Sequence, residues 1–145
     1  MPDDARHPVP DTLKAEVLAA IVEETNAFRA GDFDRWCGAW LHDARTTETY
    51  ASPEFGLNVI RGWDAVRVNM ARVFANDLRC KAGERGYDIR NAEISVEGST
   101  AWAVFDQRWW NPDGETYEDN FETRILERHD GAWKIVVSSV ISARA

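Results

Sequence analysis

Apolar positions recur three and four residues apart in the first half of the chain and alternate along much of the second half. In "DTLKAEVLAAIVEETNAFRAGD", Leu13, Val17, Ile21 and Phe28 share one face of a predicted helix. Asp11 is placed to cap its start and Gly31 to end it. Asp32 then caps a second predicted helix, "FDRWCGAWLHDA", whose stripe is Phe33, Trp36, Cys37, Trp40 and Leu41. "RTTETY" reads as a short strand and "ASPEFGLNVIRG" as a loop. A third helix, "WDAVRVNMARVFANDL", carries Trp63, Val66, Met70, Val73 and Phe74 on one side.

After the polar break "RCKAGERG" the pattern changes to strands: "YDIRNAEISVEG", "STAWAVFDQRWW", "ETYEDNFETRILER" and "AWKIVVSSVIS". The connections "NPDG" and "HDG" are tight-turn sequences. Three helices followed by long antiparallel strands is an α+β pattern, with the sheet curling around the helices. Residues 1–10 carry Pro2, Pro8 and Pro10 among charges and read as a flexible arm; residues 11–145 form one domain.

Composition narrows the function classes. The formal net charge of -8 excludes an overall basic surface for nucleic acid or anionic membrane. Seven tryptophans exceed the needs of a minimal core, since each buried aromatic removes roughly 150–250 Å² from water. Some are therefore expected at a pocket or subunit interface. Cys37 and Cys80 make no disulfide framework, and residues 1–10 lack the apolar segment of a signal peptide. No apolar run reaches the ~20 residues of a membrane span. The expectation is a cytoplasmic protein.

His7, His42 and His129 stand at no ligand-pair spacing, and no glycine-rich phosphate loop follows a strand, so neither metal nor cofactor is expected. Arg108 and Arg124 lie inside two strands joined by a hairpin. Converging guanidiniums would clamp a carboxylate or phosphate; alternatively each pairs with an acid such as Asp106, Glu122 or Glu127. Tyr50 follows Glu48 by two and shares its strand face. Trp109 and Trp110 are consecutive and point to opposite faces, so one can line a pocket while the other meets a partner subunit; ordinary core and interface packing is the alternative.

"AGDFDRW", "VIRGWDAV" and "RHDGAWKIVV", in this order, resemble the nuclear transport factor 2-like superfamily, which includes the SnoaL-like proteins. The resemblance runs from about Leu13 to Ser142. "SPEFGLNVIRGW" and "ETRILERHDGAWKIVV" are most similar to the association (hub) domain of calcium/calmodulin-dependent kinase II and its bacterial relatives. The resemblance implies a cone-shaped, cystatin-like fold, a sheet-mediated homodimer and a deep pocket with arginines inside. It carries two arginine positions onto Arg124 and Arg108. Counting back from the Asp113-Gly114 turn slips by one residue and makes Gln107 a competitor for the second.

Steroid isomerase members use a carboxylate after the second helix as a proton-shuttling base, and that position falls on Glu48. Their first-helix tyrosine is replaced by Glu24, so steroid isomerisation itself does not transfer. Histidines that often follow "WKIV" are replaced by Val137, Ser138 and Ser139. Two functions are expected to compete. One is a pocket for a small molecule bearing a carboxylate or other polar oxygen group, with cofactor-free lyase, isomerase or cyclase chemistry at Glu48 and binding by Arg108, Arg124, Tyr50 and Trp109. The other is a non-catalytic association module.

Overall fold

The computed structural model describes residues 11–76 and 83–143. The arm and Cys80 lie outside them. Helix α1 (Asp11–Ala30) opens with Asp11 as its own first residue, and Gly31 (φ 70°) ends it. Asp32 caps α2 (Phe33–Gly38) by accepting the Arg35 N–H at 3.1 Å. This helix is shorter than the apolar stripe predicts: Trp40 forms an isolated bridge to Ile135 instead of extending it. Helix α3 spans Trp63–Phe74.

The six strands are β1 (Thr47–Ser52), β2 (Gly56–Arg61), β3 (Gly86–Glu97), β4 (Thr100–Trp110), β5 (Tyr117–His129) and β6 (Ala132–Ser142). They form one sheet in the order β2-β1-β6-β5-β4-β3. Two expectations change. The expected loop 51–62 contains β2, an exposed edge strand with no apolar alternation to betray it. The sheet is mixed, because β1 runs parallel to β6 while the other neighbours are antiparallel. At the last hairpin, Asp130 (φ 50°) and Gly131 (φ 79°) form the two-residue turn that suits the strand twist.

One face of the sheet packs on the helices. Strand β4 shows the reason most plainly: Ala101, Ala103, Phe105, Gln107 and Trp109 are buried, and the intervening residues are not. Leu126 and Ile135 extend that inner layer. Trp36, Trp40 and Trp63 meet above it with ring centroids 5.1–6.4 Å apart. The sequence's surplus of tryptophan thus goes partly into a helix-side aromatic core. No described helix is long and apolar enough to cross a membrane.

Candidate functional site

The register decides which polar side chains reach the inner face. Arg124 on β5 lies opposite Ala103 on β4 and Ser138 on β6. Even positions of β5 therefore share the inner face with odd positions of β4. Ser138 also lies opposite Glu48 on β1, which places Glu48 and Tyr50 on the same face. Gln107, two residues from Phe105, is an inner residue as well.

Arg108 goes the other way. Its partner across the hairpin is Asp119, on the outer face. The guanidinium donates to Asp119 from Nε at 2.8 Å and from Nη2 at 3.0 Å. Its Cζ lies 3.6 Å from the Tyr117 ring centroid. Together with Arg90, Asp119, Phe121 and Ile141 it borders a depression of about 510 Å³, on the side of the sheet away from Glu48. The expected convergence of Arg108 with Arg124 does not form, because the hairpin pairs an even position of one strand with an odd position of the other.

Arg124 is 4% exposed and finds a protein partner. Its Nη2 donates to Glu122 Oε1 at 2.7 Å and lies 3.9 Å from Glu24 Oε2. Glu122 is two residues away on the same strand face. Glu24 descends from α1, where it continues the stripe of Val17 and Ile21. Its carboxylate accepts the Trp36 indole N–H at 3.1 Å and lies within 3.5 Å of the Thr25 hydroxyl. The sequence marks Glu122 only as a possible partner of Arg124 and gives Glu24 no site role. The available signals were a carboxylate on an apolar helix stripe and an acid two residues from a strand arginine.

Glu48 is half-buried and has no hydrogen bond or ion pair among the described residues. Burial, and secondarily the Glu24 carboxylate, push its carboxyl up to about 7, against the pull of Arg124. Burial likewise raises Glu24, although Arg124 opposes the shift. Burial acts to lower Arg124, but Glu122 and Glu24 outweigh it and hold the guanidinium charged. Three carboxylates thus surround one guanidinium. Full ionisation would leave two negative charges uncompensated, so the cluster favours retaining a proton near neutral pH.

The Tyr50 hydroxyl forms no hydrogen bond among the described residues, and its ring lies 6.4 Å from that of Phe55. Trp109 is on the inner face, 9% exposed, and donates its indole N–H to Gln107 Oε1 at 3.2 Å. Trp110 takes the outer face and donates to Asp88 at 2.8 Å. The structure therefore brings Glu48, Tyr50, Arg124 and Trp109 to one face and leaves Arg108 outside it.

A SnoaL-like domain model matches residues 17–143. The chain belongs to the SnoaL-like family. No curated protein matches it. Among solved structures, this SnoaL-like chain is similar to a putative dehydratase of the NTF2-like family from Streptomyces avermitilis. The identity is 19% and the TM-score 0.73, over 94% of this chain and 100% of the other. It is also similar to the CaMKII hub of S. rosetta at 19% identity and TM-score 0.68, covering 89% and 95% of the two chains. A ketosteroid isomerase-like protein from Erwinia carotovora atroseptica matches at 16% identity and TM-score 0.63, over 90% and 96%. At these identities the likeness establishes the SnoaL-like chain's cystatin-like α+β fold alone.

Proposed function

We propose that this SnoaL-like protein is a cofactor-independent acid–base enzyme acting on a small molecule, of lyase, isomerase or cyclase type. The carrying observation is Glu48: a carboxyl on the inner face, without a hydrogen-bond partner among the described residues, with its pKa raised to about 7. At neutral pH such a group is divided between its acid and base forms and can take a proton and return it. Tyr50, on the same face, is the proposed hydrogen-bond donor to a substrate oxygen. Arg124 holds the charge balance of Glu24 and Glu122, and Trp109 walls the inner face. Arg108 has no part in this site. Names of two structural neighbours, dehydratase and ketosteroid isomerase-like, are compatible with proton-transfer chemistry.

A nitrobenzisoxazole tests the reading without knowledge of the natural substrate, because a desolvated carboxylate removes its acidic C–H proton. The expected result is turnover that rises with pH through about 7 and disappears in Glu48→Gln. Equal rates in the variant would refute the assignment.

The outer face supports a second, compatible reading, self-association. Trp102, Phe121 and Ile141 are 47%, 48% and 58% exposed, and Phe121 lies directly opposite Ile141. A homodimer through this face predicts a halved solution mass for Phe121→Glu. A monomeric wild type would end that reading.

A further inference from the structure

At the far end of the inner face, polar groups of a different kind collect around an aromatic pair. The Tyr87 and Trp109 rings lie 5.3 Å apart, with the Tyr87 hydroxyl donating to Asn26 on α1 at 2.7 Å. Arg29, in the last turn of α1, places its Cζ 5.9 Å from the Tyr87 ring centroid. Arg85 places its Cζ 5.7 Å from the Trp109 ring centroid. Arg85 is paired with Glu118 at 3.2 Å, whereas Arg29 has no carboxylate partner among the described residues. The Nε of each arginine is buried without a hydrogen-bond partner among the described residues.

Gln107 adds an independent observation. It is 3% exposed, and its Oε1 accepts the Trp109 indole N–H. An indole nitrogen can only donate, so the amide oxygen must face it and the NH₂ group must face elsewhere. That Nε2 is buried and has no partner among the described residues. A buried donor left unmet costs stability, and a ligand acceptor would remove the cost.

We propose that Arg29, Arg85 and Gln107 form a subsite for an oxyanion, a carboxylate or phosphate group, at one end of the ligand. Among the described residues two guanidiniums meet one carboxylate at this end, while three carboxylates meet one guanidinium at the Glu24–Glu48–Glu122 end. Planar N–H groups suit the oxygens of either anion. The five residues from Glu24 to Arg29 correspond to about 7.5 Å of helix rise. The proposed ligand is therefore a small acid or phosphate ester whose anionic group stays at Arg29 while its reacting carbon reaches toward Glu48. This inference rests on the inner face being a ligand site.

The experiment titrates the whole chain with sodium acetate and, separately, inorganic phosphate at fixed ionic strength, reading the melting temperature. A saturable rise of about 5 °C at tenfold excess over Kd is expected for at least one anion. Acetate alone marks a carboxylate site and phosphate alone a phosphate site. Arg29→Gln should weaken the affinity at least tenfold. Gln107→Glu keeps an acceptor for Trp109 but replaces the free donor with a second acceptor, and should abolish the effect. The inference is overturned if neither anion gives a saturable rise, or if both variants bind as wild type does, which would make Arg29 a solvated surface arginine. Anion binding without Glu48-dependent proton abstraction would overturn the catalytic reading alone. Glu48-dependent abstraction without anion binding would overturn this inference alone.

Discussion

Arg124 and Arg108 stand on neighbouring strands of one sheet, each bonded to a carboxylate, yet their surroundings differ. Arg124 is enclosed with Glu24 and Glu122, and the charges of Glu24 and Arg124 both act on the carboxyl of Glu48. Arg108 sits on the outer face against Asp119, whose side chain is 48% exposed, and on the rings of Tyr117 and Trp110. Water screens the outer pair, so its charges have only local effects. The inner cluster has little water to screen it, so every charge there must be matched by another charge or by a proton. The same residue type thus supplies a surface contact on one face and the electrostatic pivot of a site on the other.

The largest expected break of this contrast is Arg124→Ala. It leaves buried carboxylates without their cation and should cost about 3–5 kcal/mol of stability near pH 7, measured by urea unfolding. The loss should shrink in acid, as Glu24 and Glu48 take up protons.

Next is Glu48→Gln. The carboxyl ionises around 4.5 when unfolded and about 7 when folded, so the native state binds the proton more tightly. The stabilisation from that proton is complete below pH 4.5 and is lost as pH rises through about 7. The difference is about 3 kcal/mol, since one pKa unit corresponds to about 1.4 kcal/mol. Wild-type stability should fall across this window, and the glutamine variant should show a correspondingly flatter pH profile.

Trp36→Phe removes a hydrogen bond to the buried Glu24 carboxylate and should cost about 1.5–3 kcal/mol. The smallest effect belongs to Arg108→Ala. Asp119 remains solvated, so losing the two-bond pair and the contact with the Tyr117 ring should cost about 1 kcal/mol or less, with no change in proton abstraction. A large loss there would erase the distinction between the two faces.

The parts of this arrangement readable from the chain are those governed by local pattern. The helix stripes, the Asp130-Gly131 turn, the alternation of β4 and the shared face of Glu48 and Tyr50 follow from periodicity. The side of Arg108 did not, because it depends on register across a turn. Counting from opposite ends of the strand differed by one residue, enough to exchange Arg108 for Gln107 on the inner face. The parallel β1–β6 contact joins distant segments and leaves no local mark. Strand β2 was hidden because an exposed edge has no burial pattern to impose. Glu24 is hidden for a similar reason: on an apolar stripe a carboxylate looks like an interruption until β5 supplies its arginine.

The most direct measurement of the central claim is an isotope-edited NMR titration of the Glu48 side-chain carboxyl, assigned by its disappearance in Glu48→Gln. The expected midpoint is about 7, coupled to the ionisation of Glu24. A midpoint at the ordinary value of 4.5 would contradict it, because Glu48 would then be a solvated surface acid with no special claim to catalysis.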